Sequence, residues 1–183
     1  MTKYILHGGN AQHQDPRNDE FFKEILKDAP INAKVLLVHF AGRPEKSEIN
    51  KERDTAHFEK VKEDRNLTYE IANEETFPAQ ILNADVIYLG GGTTTRLLET
   101  IKKFTNLKEL FNGKIVAGES AGANVLSAFS YSKSGGGVLQ GLGMVPVKTI
   151  PHYKGEHKED LDEIPGDLET LLLPEYEYRV FNI

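Results

Sequence analysis

The sequence predicts an α/β fold: a mostly parallel β-sheet with helices on both faces. Three observations carry that expectation. Short apolar, β-branched runs alternate with longer charged segments whose apolar residues recur at helical spacing. Several of the apolar runs end directly in glycine, at His7-Gly8-Gly9, Ala41-Gly42, Gly90-Gly91-Gly92 and Gly118. Strand–loop–helix units repeated at this interval build a parallel sheet. The third observation is bulk composition. With 183 residues, 39% hydrophobic and 27% charged, the chain can fill one core and is neither disordered nor collagen-like. No repeat and no linker interrupts it, so residues 1–183 are read as a single domain.

Lys3–Leu6 is a short strand, and Asp15–Asp28 a helix with Phe21, Phe22, Ile25 and Leu26 on one face. Lys34–Phe40 is a buried strand by length and branching. The charged stretch Pro44–Arg65 is helical, and Leu67–Ala72 alternates as an edge or third strand. Thr76 caps a short helix ending near Asn83. Asp85–Leu89 is a strand leading into Gly90-Gly91-Gly92-Thr93, followed by a helix over Thr94–Leu110. Lys114–Ala117 is a strand and Ala121–Phe129 a helix. Beyond that the pattern loosens. Ser130–Gly143, rich in Ser and Gly, reads as loop or hairpin, and Met144–Ile150 as extended chain ending at Pro151-His152. Asp160–Thr170 holds at most a short helix around Pro165 and Gly166. Leu171–Leu173 and Tyr176–Phe181 are the final strands.

Composition excludes several functions. No apolar run approaches the ~20 residues of a spanning helix, and MTKYILHGG lacks the apolar stretch of a secretory leader. With no cysteine there is no disulfide framework, thiol nucleophile or thiolate metal site, which fits a cytoplasmic protein. The net charge is −6 and the basic residues are scattered, so neither nucleic acid nor a membrane is expected as partner.

In an open parallel sheet, ligands bind beyond the carboxyl ends of the strands. Three segments fall there. Gly118-Glu119-Ser120-Ala121-Gly122 matches G-x-S-x-G between a strand and a helix, the context of a nucleophile elbow. There Ser120 would project its hydroxyl, and the Ala121 N–H, at a helix N-terminus, would face a developing oxyanion. The competing reading makes Ser120 a plain helix N-cap. The second segment, Gly90–Thr93, matches neither phosphate-loop pattern and suits a second oxyanion donor; its bland reading is a tight turn capped by Thr93 or Thr94. The third is His152. Of six histidines it alone follows a strand directly downstream of Ser120, with His157 next as candidate base. His57 is expected on a solvated helix face and His39 in the core or at its rim.

YLGGGTTTRLLE, AGESAGANVLS and the downstream Pro151-His152-Tyr153 together resemble peptidase family S51, which includes α-aspartyl dipeptidases (peptidase E) and cyanophycinases. The resemblance runs from KYIL to LLLPE and marks a short variant. It implies the class I glutamine amidotransferase-like fold, a three-layer sandwich around a flavodoxin-like sheet. It also implies a metal-free, cofactor-free serine peptidase that hydrolyses short peptides, Asp-X dipeptides among them, through an acyl-enzyme. Ser120 matches the nucleophile and His152 the base; Gly92 and Ala121 match the oxyanion donors, with Gly91 adjacent. A homodimer is consistent with the resemblance. The family pattern puts an acidic residue about fifteen positions after the serine, but Tyr131–Gly137 holds no carboxylate. Either the Ser–His pair works alone, or Glu119, Glu156, Asp160 or Glu175 orients the histidine. Where the family has a substrate-binding arginine, this chain has Gly155-Glu156-His157-Lys158, making His157 and Lys158 substrate-binding candidates and Lys158 equally a solvated surface lysine. Two rival readings are a non-catalytic binding or regulatory domain and another small-molecule acyl hydrolase.

Overall fold

The computed structural model describes residues 1–183. In chain order it contains β1 (Lys3–His7), α1 (Pro16–Leu26), β2 (Asn32–Val38), α2 (Ser47–Val61), β3 (Asn66–Ile71), α3 (Phe77–Asn83) and β4 (Val86–Leu89). Then come α4 (Thr94–Ile101), α5 (Leu107–Phe111), β5 (Ile115–Glu119), α6 (Ala121–Leu126), β6 (Ser127–Ser132) and β7 (Gly137–Gln140). The chain closes with β8 (Val145–Pro151), α7 (Lys158–Asp162), β9 (Glu169–Leu173) and β10 (Tyr178–Asn182).

The main sheet has six strands in the order β10-β1-β5-β4-β2-β3. All pairings are parallel except β10, which runs antiparallel along β1. β1, β4 and β5 are buried on both faces, as their uninterrupted apolar runs require. One face packs against α1 and α2 through Phe21, Phe22, Phe58 and Tyr88. The other buries Phe77, Leu97, Phe111 and Val125 of α3–α6. The result is the three-layer α/β sandwich that the sequence predicts. At the start of α1, Asp15 caps the Arg17 N–H at 2.9 Å and Pro16 presets the first turn. No helix is long and apolar enough to cross a membrane.

Several boundaries differ from the sequence reading. The segment read as one helix over 94–110 is two, α4 and α5, because the chain turns at 102–106. The helix expected to reach Phe129 stops at Leu126. There the Ser127 hydroxyl donates to the Ala123 carbonyl, and Ser127–Ser132 enters a strand. Thr76 precedes α3 but its side chain caps nothing. The short helix expected around Pro165 and Gly166 lies ahead of them instead, at α7, since the proline ring and its missing N–H do not fit a helix interior. Residues 127–173 build a second sheet in the order β7-β6-β8-β9, which the sequence reading did not separate from the first.

His57 is the clearest correction. It is buried, stacked on Phe22 with ring centroids 4.9 Å apart. Although α2 is highly charged, Asp54, His57, Phe58 and Val61 fall at i, i+3, i+4 and i+7, and that stripe faces α1.

Candidate active site

The carboxyl ends of β1, β5 and β8 meet at one place. Ser120 leaves β5 with φ 51° and ψ −100°, a backbone state that costs a non-glycine residue of order 1–3 kcal/mol. Its environment over-determines that state. The Ser120 N–H donates to the His7 carbonyl at 3.0 Å, and the Ser120 carbonyl accepts from Asn124 N–H at 3.0 Å. The elbow glycines are needed for close approach: Gly118 lies against the Gly122 backbone, and Gly122 against the Leu89 carbonyl, so a side chain on either collides with backbone. Ser120 caps nothing with its side chain. Its Oγ lies 2.9 Å from His152 Nε2 instead.

His152 follows β8, also at positive φ (54°). Its N–H donates to the Gly8 carbonyl at 2.7 Å, and its ring occupies the space a Gly9 side chain would fill. Nδ1 lies 2.9 Å from Glu175 Oε1. Glu175 comes from the turn between β9 and β10. That turn is pinned to the same two glycines: Tyr176 N–H donates to the Gly9 carbonyl at 3.1 Å, and Gly8 N–H to the Glu177 carbonyl at 2.8 Å. The hydrogen bond with His152 holds the Glu175 carboxyl below its ordinary pKa. With Nδ1–H committed to Glu175, Nε2 is the acceptor for the serine proton.

Of the four acidic candidates, Glu175 alone reaches His152. Glu119 accepts backbone N–H groups from Ala11 and Gly91. Asp160 pairs with His157 Nδ1 at 2.9 Å, and Glu156 lies 4.0 Å from His157 Nε2. The sequence holds one signal for Glu175: it lies just past an apolar strand, two residues beyond Leu173, much as Ser120 and His152 lie just past theirs.

The oxyanion candidates divide. Ala121 N–H sits at the first position of α6, ahead of the helix's own hydrogen-bond ladder. Gly92 lines the cleft, and its N–H makes no hydrogen bond within the protein. Gly91 is not a third donor, because its N–H is given to Glu119 Oε2 at 2.8 Å.

The cleft around Ser120 and His152 encloses about 500 Å³. Its outer walls are Tyr131 and Lys133 of the β6–β7 hairpin and the segment from Lys154 to His157. His157 stacks on Tyr131 with centroids 3.9 Å apart, so it is a wall residue and no rival base for Ser120. Lys158 lies outside the cleft and pairs with Asp162 on the surface. Thr94, one of the residues read as a cap, instead accepts hydrogen bonds from Asn124 and Ser132 inside the cleft wall.

A sequence model described as peptidase family S51 matches residues 4–168. The uncharacterized peptidase YgaJ of Bacillus subtilis strain 168 is 39% identical over 82 residues, which are 42% of this chain and 36% of that protein. Peptidase E of Shewanella amazonensis is 32% identical over 110 residues, 53% of this chain and 47% of that protein. The chain therefore matches less than half the length of either relative. Among solved structures, a peptidase from an acI-B1 Actinobacterium superposes with a TM-score of 0.74 at 20% identity, covering 99% of this chain and 83% of the other, a likeness of fold.

Proposed function

The chain belongs to peptidase family S51, and on that premise we propose that it is a serine peptidase that hydrolyses short peptides through an acyl-enzyme. One observation carries the reading: Ser120 Oγ, His152 and Glu175 form a continuous hydrogen-bonded relay, 2.9 Å at each link, opening into a cleft.

In this reading His152 Nε2 takes the Ser120 hydroxyl proton as Oγ attacks the scissile carbonyl carbon. The carbonyl π electrons move to oxygen, and the N–H groups of Gly92 and Ala121 receive that charge. Each such donor contributes about 10²–10³ in rate. Glu175 holds the imidazole in the required tautomer and stabilises the imidazolium. As the C–N bond breaks, His152 returns the proton to the leaving amine. A water, deprotonated by the same Nε2, then hydrolyses the ester and frees Ser120. A cleft of about 500 Å³ has room for a few residues of peptide. Lys133 and Lys154 on its walls, against the single carboxylate Glu156, favour an acidic peptide, so Asp-X dipeptides head the substrate panel.

The test is fluorophosphonate labelling read by intact mass on wild type, Ser120→Ala and His152→Ala, followed by the dipeptide panel. Labelling of wild type alone, with Asp-X turnover, is the expected result. A folded wild type that takes no label would overturn the reading in favour of a non-catalytic binding domain.

A further inference from the structure

Glu119 precedes Ser120 in the chain, yet strand alternation sends its side chain to the opposite face of the main sheet. It is 5% exposed there, and no lysine or arginine pairs with it. Its two oxygens do separate jobs: Oε2 accepts the Gly91 N–H at 2.8 Å and Oε1 the Ala11 N–H at 3.3 Å. The triglycine loop is fastened on either side by backbone bonds, Gly90 N–H to the Val38 carbonyl at 3.1 Å and Thr93 N–H to the Ala41 carbonyl at 2.9 Å. Between them, Gly91 N–H is held by Glu119, while Gly92 lines the cleft with an N–H that has no partner in the protein.

We propose that Glu119 is a positioning residue for hydrolysis: its ionised carboxylate clamps the Gly91 amide and so fixes the Gly92 N–H as oxyanion donor relative to the neighbouring Ser120. The inference rests on the peptidase reading above. It places the carboxylate that aligns one oxyanion donor on the last residue of β5 and the nucleophile on the next residue, so their spacing is set by a single peptide unit. Only a carboxylate does this fully, since it accepts at both oxygens. A protonated acid or an amide accepts at one and presents a donor at the other.

The surroundings make the clamp sensitive to acid. Asp54 and Arg53 face Glu119 from α2, Tyr88 from β4 and His7 from the neighbouring position of β1. Asp54 is itself tied to His39 Nε2 at 2.9 Å and to Arg53 at 3.2 Å. Burial, then the Asp54 charge, push the Glu119 pKa upward; the two amides and Arg53 oppose them, and the net direction is up. Acidification therefore protonates this clamp before it protonates an ordinary glutamate.

The experiment measures the rate of fluorophosphonate labelling from about pH 4.5 to 8, a range that spans the carboxylate and histidine titrations. It compares wild type with Glu119→Gln, and urea unfolding establishes that both are folded. In parallel, ¹⁵N-glycine labelling follows the Gly91 amide resonance through the same range. Glu119→Gln is expected to label about 10- to 100-fold more slowly at neutral pH. On an Asp-X substrate the loss should fall on kcat and leave KM within about twofold. The Gly91 resonance should titrate in wild type and stop titrating in the variant. Should Glu119→Gln fail to fold, Asp54→Asn, which removes the facing charge, is expected to move the Gly91 titration to lower pH. A folded Glu119→Gln that labels at the wild-type rate, or a Gly91 amide indifferent to pH and to both variants, overturns this inference alone. A wild type that takes no label overturns the peptidase reading and this inference with it.

Discussion

Ser120, His152 and Glu175 line up as serine, histidine and carboxylate beyond β5, and Ser47, His39 and Asp54 do the same beyond β2. In the first set the serine oxygen is 2.9 Å from the imidazole, in the second 3.4 Å. The histidine–carboxylate distance is 2.9 Å in both. Residue types therefore do not separate them. Backbone and exposure do. Ser120 is forced to φ 51° at a sharp turn, whereas Ser47 relaxes at φ −60° into the start of α2. The side chain of His152 is 40% exposed in the cleft, and that of His39 only 6% exposed beneath α2. The first set can meet a substrate. The second cross-links the loop after β2 to a helix. On the peptidase reading, catalytic capacity follows from strain and access, and a similar serine, histidine and carboxylate without them is scaffold.

Exchanging the serines breaks the comparison most directly. Ser120→Ala should cost at least about 10⁴ in turnover of an Asp-X substrate. Ser47→Ala should leave turnover within about twofold; an equal loss in both would mean that the two sets are not functionally distinct. The carboxylates come next. Glu175→Gln should lower kcat by about 10²- to 10⁴-fold, because His152 loses the group that sets its tautomer. Asp54→Ala should instead unfold more easily by about 3–5 kcal/mol in urea, since His39 and Arg53 lose a buried partner.

A smaller effect concerns pH and stability near the first set. His7 is fully buried at the end of β1, with Nδ1 accepting the Gly9 N–H. Burial depresses its pKa to about 4; the nearby Asn18 side chain opposes the shift and the neighbouring His152 adds to it. Between the ordinary histidine value near 6.5 and about 4, the unfolded chain takes a proton that the folded chain refuses. Stability therefore falls as pH drops through that window, by at most about 3 kcal/mol. His7→Gln should flatten that slope in urea titrations at pH about 7 and about 4.5. The smallest effect belongs to Lys158→Ala, which should leave the labelling rate unchanged because Lys158 lies outside the cleft.

The parts of the fold legible in the sequence are those fixed by neighbouring residues. The elbow at Ser120 was readable because the glycines that permit it lie two residues to either side, and His152 because it follows its own strand. Glu175 could not be singled out from four carboxylates, since its place depends on β10 pairing with β1 at the far end of the chain. The second sheet was missed for the same reason: β6, β8 and β9 pair across long intervals that periodicity does not encode. Gly91 was misassigned although strand alternation alone sends the Glu119 side chain away from the cleft, where it competes for that amide. His57 was misread because a charged helix can bury a stripe that is half polar.

The two glycines after β1 receive His152 and the Glu175 turn together, so the relay closes only when β10 has docked along β1. During synthesis, a chain grown only through β9 carries the serine and the histidine but no carboxylate on the far side of the imidazole. On the peptidase reading, hydrolytic power arrives only with the docking of β10, and a chain still lacking that strand holds an unaligned histidine.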